Sequence, residues 1–291
     1  MKSSAYDFPN GYFFASQEPF SLFHTFECGQ CFRWNAVSEN EYIGIANGRP
    51  LYARQEENGI FFSCTKEEFE KEWFTYFDLQ RSYSPLESIF TQNEFMTRAV
   101  EYGRGLRILK QDPWETLVSF LISQCNNIPR IKKIIETLCR LLGEPVSFAG
   151  HTLYTFPSSS ILAQCNADDL APLKAGYRTA YLLDAAQKVC AEGFDFAMLG
   201  SLSTEEARDR ILSFHGVGRK VADCFLLFGA GKMDAFPIDT WMKKVYAQYA
   251  LPLQNGVFGD YAGIAQQYIF HYAHQNKLSF STPAAEDCSQ K

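Results

Sequence analysis

Lys220 stands two residues after Gly218, in the first turn of a segment that is otherwise almost wholly apolar, VADCFLLF over 221–228. A lysine at a helix N-terminus faces the positive end of the helix dipole. An apolar wall disfavours its charged form as well. Both effects favour a neutral amine, which an amine nucleophile requires. The plainer uses of such a lysine are pairing with Asp223 at i+3 or snorkelling to solvent. Cys224, at i+4, shares its face. Asp239 follows nineteen residues after Lys220, behind Pro237, at the head of the next segment. It is either an ordinary N-cap or a carboxylate placed for electrostatic or proton-transfer work beside the lysine. His215-Gly216-Val217-Gly218 joins two helical segments into a helix-hairpin-helix. Glycines there let a backbone approach a ligand closely, and the free N–H groups opening the second helix bind phosphate without reading sequence. A plain αα-hairpin would use the same glycines only to turn the chain.

These residues need a helical frame, and the period of the chain supplies one from about residue 105. Asp112-Pro113-Trp114-Glu115 provides an N-cap, a proline at the first helical position and a glutamate three residues after the cap. Pro129 opens the next helix, with Ile131, Ile134, Ile135, Leu138 and Leu142 on one face and Gly143 as its stop. Further helices are expected over GYRTAYLLDAAQKVCAEG, after the Ser203/Glu206 pair, after Asp239 and over YAGIAQQYIFHYAHQ; the chain from about 280 is expected to fray. The first hundred residues read instead as strands, alternating over 41–64 around two Asn-Gly pairs. KEEFEKEWFTYFDL reads as helical, and Tyr83-Ser84-Pro85 breaks it. The expected class is α+β: an N-terminal antiparallel sheet domain over 1–104 and a mostly helical domain over 105–291, with the cleft against the sheet domain.

A chain of 291 residues, 46% apolar and 15% aromatic, buries a large core and is not disordered. No apolar run approaches the roughly 18 residues of a spanning helix, and the N-terminus lacks a basic region followed by an apolar core, so no signal peptide is apparent. A soluble, intracellular protein with its nine cysteines reduced is expected. The net charge is −6, but residues 1–100 carry it all: 8 Lys/Arg against 14 Asp/Glu. Residues 101–291 hold 19 of each, and 101–140 hold 7 basic against 4 acidic side chains. Binding to nucleic acid needs a basic patch, not a basic protein.

GVGRKVADC followed by FPID resembles the helix-hairpin-helix–Gly/Pro–Asp superfamily of DNA glycosylases. The resemblance is closer to the 8-oxoguanine DNA glycosylase/AP lyases. It extends to ECGQCFRW, DPWETLVSFLISQCNNIPRI, AGYRTAY and AGIAQQYIF, in order along most of the chain. It implies that Lys220 attacks C1′ and forms a Schiff base, with Asp239 supporting the attack and the developing positive charge on the sugar. It makes Gly29 the residue whose carbonyl accepts the N7–H that oxoguanine has and guanine lacks. Cys224 and Phe270 would sandwich the extruded base and Gln266 would read its Watson–Crick edge. Arg130 and Arg178 would read the orphaned cytosine, with Tyr177 wedged beside it. Gly216, Val217 and Gly218 would hold phosphate.

Two positions depart from that family. Its better-known members have three asparagines where this chain has Cys125-Asn126-Asn127, so either Cys125 or Asn126 is left to fill the gap in the duplex. Trp241 stands where they have histidine, in a wall or phosphate contact of the base pocket. Cys28-Gly-Gln-Cys31 is a lone CxxC without the second pair a zinc site needs. Only Cys288 lies beyond Cys224, which excludes the C-terminal four-cysteine cluster of the superfamily's iron–sulfur members. His271 and His274 share a helix face and are expected at the surface or facing DNA. The expected function is excision of 8-oxoguanine opposite cytosine followed by β-elimination, with no metal and no cofactor, by a monomer acting on duplex DNA and not on membranes. Its rivals are a sister glycosylase for another damaged base and a non-catalytic helix-hairpin-helix DNA-binding protein, in which Lys220 contacts phosphate.

Overall fold

The computed structural model describes Phe8 and residues 11–191, 193–249 and 257–278. The expected fraying from about residue 280 lies outside the described residues. Five strands, β1 (Tyr12–Phe14), β2 (Trp34–Ser38), β3 (Glu41–Ala46), β4 (Arg49–Glu56) and β5 (Gly59–Phe62), form one antiparallel sheet in the order β1-β5-β4-β3-β2. Asn47 and Gly48, at φ 51° and 72°, make the two-residue turn between β3 and β4, the primed turn that matches strand twist. The second Asn-Gly pair behaves differently. Gly59 is already in β5, opposite Glu56, so Glu57 and Asn58 form the turn. A Cβ on Gly59 would lie 2.3 Å from the Phe14 carbonyl oxygen, so the missing side chain admits the neighbouring strand.

The first hundred residues are less purely β than their pattern suggested. Helices occupy Leu22–Phe26, Ser84–Phe90 and Glu94–Tyr102 as well as 66–76, which contains a π turn over Phe69–Trp73. Pro85 does not merely end the preceding helix. It lies in the first turn of Ser84–Phe90, where its missing N–H costs nothing. A small hairpin, Pro145–Phe148 with His151–Tyr154, was not legible either.

The expected caps are present. Asp112 accepts from the Glu115 N–H at 2.8 Å, and Ser203 and Glu206 form a reciprocal capping box. The helix-hairpin-helix is Thr204–Leu212, a turn, and Arg219–Phe228. Two buried clusters hold the chain. One fills the sheet and its covering helix, with Phe26 stacked on Trp34 at 4.2 Å. The other joins all the later helices, and the helices Ser84–Phe90 and Glu94–Tyr102 pack in it. The seam between the clusters is polar. Gln30 donates to the Arg107 carbonyl, Arg33 bridges Glu115 at 3.5 Å, and His24 meets His271 at 2.8 Å. Burial pushes the Glu115 carboxyl up to about 7, partly offset by Arg33. Among the described residues no helix is long and apolar enough to cross a membrane.

Candidate active site

The helix Arg219–Phe228 is buried from Val221 to Phe228. Lys220, at its mouth, is half-buried. Its ammonium lies 5.3 Å from the Phe120 ring centroid. The Asp223 carboxylate does not pair with it, because Arg208 takes Asp223 at 2.6 Å and Arg219 approaches at 3.9 Å. Among the described residues no carboxylate forms an ion pair with Lys220. Cys224, one turn on, is buried; burial pushes its thiol up to about 11 despite the opposing pull of Lys220.

Asp239 does cap its helix: one carboxylate oxygen accepts from the Met242 N–H at 2.8 Å. It also lines the same pocket as Lys220. The two uses are compatible, since the cap holds one oxygen and orients the other.

Gly29, Lys220, Cys224, Asp239, Gln266 and Phe270 share the lining of one pocket of about 330 Å³, with Phe120, Phe228, Pro237 and Gln267. The structure thus gathers residues 29 to 270 that the sequence named separately. Gly29 has φ +78°, and a Cβ there would lie 3.1 Å from the Phe270 ring. No hydrogen bond reaches its carbonyl among the described residues. Gln266 is buried, and its side-chain oxygen has no hydrogen-bond partner among the described residues. An unpaired buried acceptor costs free energy unless a donor arrives.

A larger groove of about 1350 Å³ adjoins the pocket and runs past Cys125, Asn126, Lys220, Asp239, Trp241 and Lys243. Trp241, expected in the base pocket, lies one ring further out. It meets His274 edge-on at 5.6 Å, and His274 stacks on Phe270 at 5.6 Å. His271 corrects its expectation: it is fully buried and bonded to His24, and burial holds its imidazole down to about 3.

Cys125, Arg130, Tyr177 and Arg178 come together on this side. Cys125 is exposed, with a left-handed φ of +46°. The Asn126 side chain turns back to the Ile122 carbonyl at 3.1 Å. Tyr177 is 52% exposed and lies under the Arg178 guanidinium at 4.5 Å. Arg130 is exposed and touches the Lys174 carbonyl at 3.3 Å. Arg178 differs from a free reading head: it is buried and donates to the carbonyls of Gln124, Cys125 and Ala175.

In the hairpin, Gly216 has φ +80°, and a Cβ there would strike the Tyr181 ring at 2.4 Å. Gly218 is exposed, with open space at its Cβ position, and caps the next helix without a side chain. Val217 is buried, and its N–H bonds the Phe214 carbonyl.

Both CxxC thiols are buried and pushed up, Cys28 to about 12. Among the described residues no group of three His, Cys, Asp or Glu is placed to hold a metal. Phe120, Phe228 and Gln267 were missed. The two phenylalanines lie in apolar helices that read as core, and Gln267 is the second of two adjacent glutamines with no spacing signal of its own.

The profile of the 8-oxoguanine DNA glycosylase N-terminal domain matches residues 12–117. The chain superposes on MBOgg1, solved with a low-affinity DNA ligand, at a TM-score of 0.88 and 36% identity, covering 94% of this chain and 98% of that one. It superposes on the Clostridium acetobutylicum 8-oxoguanine glycosylase/lyase, solved with duplex DNA containing cytosine opposite 8-oxoG, at 0.86 and 34% identity, covering 94% and 100%. A probable N-glycosylase/DNA lyase of Methanothermobacter thermautotrophicus is 28% identical over 233 residues, 69% of this chain and 72% of that protein. The chain belongs to the 8-oxoguanine DNA glycosylase/lyase family of the helix-hairpin-helix–Gly/Pro–Asp superfamily.

Proposed function

We propose that this protein excises 8-oxoguanine from duplex DNA, with preference for cytosine opposite, and then cleaves the abasic strand by β-elimination. One observation carries the reading. Among the described residues, a lysine without a carboxylate partner opens into a pocket whose walls hold an orphaned Gln266 oxygen and an unbonded Gly29 carbonyl. A glycosylase extrudes its base into such a pocket. Cys224 and Phe270 offer a polarisable sulfur and a π-face to the base. A carbonyl at Gly29 accepts N7–H from oxoguanine and meets a lone pair on guanine. The Lys220 amine attacks C1′ as the C1′–N9 bond breaks and the base departs. Asp239 stabilises the positive charge on the sugar. Ring opening gives the imine, and loss of the C2′ proton then expels the 3′ phosphate.

On the opposite side, Arg130 donates to the acceptors of cytosine, whereas adenine would present a donor. Cys125 fills the gap, because the Asn126 amide is committed to its own helix. Arg130→Ala relaxes the preference for cytosine by about 1–3 kcal/mol. Arg178→Ala frees the Gln124–Cys125 turn that its guanidinium holds, so it relaxes the preference through that turn and slows excision opposite every base. A preference unchanged in both variants removes them from this role. Incubating the protein with duplexes carrying 8-oxoguanine opposite each of the four bases tests the whole reading. Excision fastest opposite cytosine supports it; no excision from any duplex rejects it.

Binding to DNA weakens steeply with salt despite the acidic total. The expected log–log slope is roughly −0.9 per phosphate neutralised, and the basic residues of 101–140 and 208–244 carry it. A flat salt dependence contradicts duplex binding as the main activity. The protein is expected to act as a monomer.

A further inference from the structure

We propose that Gln267 is a positioning residue for lesion recognition: its side-chain amide fixes the direction in which Gly29 presents its carbonyl. The proposal rests on the assignment of that carbonyl to N7–H. Gln267 is 2% exposed, and its amide donates to the Cys28 carbonyl at 3.0 Å, across 239 residues of chain. On the other side of Gly29, the Gln111 amide donates to the Gln30 carbonyl at 2.8 Å. Gln30 is itself anchored, donating to the carbonyls of Thr25 at 2.8 Å and Arg107 at 2.7 Å and accepting from the Leu109 N–H at 2.8 Å. The carbonyls before and after Gly29 are therefore each held by a glutamine. Between them, the Gly29 carbonyl has no hydrogen-bond partner among the described residues.

Such a frame is needed because glycine does not hold its own peptides. At φ +78° it exchanges readily among conformations closed to other residues. With the Gln267 bond removed, the buried Cys28 carbonyl is unsatisfied and the 28–29 peptide gains a reason to rotate. Gly29 then loses the one orientation that aims its oxygen at the base edge. Gln267 also sits beside Gln266 on the final helix, so one helix would set both the acceptor for N7–H and the group facing the Watson–Crick edge.

Two duplexes test this, one with 8-oxoguanine opposite cytosine and one with an analogue whose N7–H is replaced by a carbon-bound hydrogen. Affinity for both is measured in a Lys220→Gln background, with and without Gln267→Met, which keeps the length and removes the donor. The background is expected to prefer 8-oxoguanine, and Gln267→Met is expected to reduce that preference about fivefold to tenfold. Because the readout is a ratio on one preparation, a loss of folded protein does not move it. Should Gln267→Met not fold, Gln267→Glu, which presents a carboxylate to the carbonyl, carries the same expectation. A full preference retained with Gln267→Met overturns the role of Gln267 and leaves Gly29 standing. No preference in the background overturns the Gly29 reading and this proposal with it.

Discussion

Lys220→Gln is expected to abolish strand cleavage and borohydride trapping while lesion-containing DNA is still bound. The amide keeps much of the side chain's length and polarity but cannot form an imine. The neighbourhood tolerates the exchange. Asp223 already pairs with Arg208, so removing the lysine charge orphans no buried carboxylate. The interactions lost are the contact with the Phe120 face at 5.3 Å, worth about 0.5–2 kcal/mol, and the side-chain contact with the Cys224 thiol. A loss of activity by several orders of magnitude with affinity preserved is therefore the signature of a missing nucleophile. Normal turnover by this variant would sink the assignment, and a parallel collapse of binding would return Lys220 to the phosphate-contact reading.

Gly29→Ala is expected to reduce excision of 8-oxoguanine far more than lyase action on a ready-made abasic site. Two costs combine. Alanine at φ +78° is strained by about 1–2 kcal/mol. Its Cβ, 3.1 Å from the Phe270 ring, must push that wall or pull the carbonyl away from the base. The strain is carried with either substrate alike, so the loss specific to excision comes from the displaced wall and a charge-free hydrogen bond of about 1 kcal/mol, a fall of roughly fivefold to tenfold. An abasic site brings no base into the pocket, so Lys220 still reaches C1′ and the lyase rate changes little. Both rates are measured on one folded preparation. Equal losses would make Gly29 a turn residue whose left-handed backbone is its whole contribution.

What was legible in the sequence was local. Lys220, Cys224 and the hairpin glycines lie within nine residues, and Asp112, Ser203 and Asp239 announce helix starts by a side chain placed before the first turn. Caps and turns act over three or four residues, which a linear pattern displays. The Gln267–Cys28 bond spans the whole fold, and nothing near Gln267 marks it. Phe120 shows the opposite difficulty. Its helix is apolar almost all round, with Thr116 to Ile122 buried, so no polar face distinguishes the ring under Lys220 from its neighbours. Arg178 reads as a free cation, yet folding commits its guanidinium to three backbone carbonyls. Asn58-Gly59 misled because the pattern for a turn and the pattern for a close strand approach both call for glycine.

Borohydride reduction during turnover of a duplex carrying 8-oxoguanine opposite cytosine tests the central claim most directly. The imine is reduced to a stable amine, and the cross-linked peptide is mapped by mass spectrometry. The expected result is one covalent protein–DNA adduct, on the peptide containing Lys220, formed in step with release of free 8-oxoguanine. Release of the base with no adduct, or an adduct on any other lysine, would contradict the account.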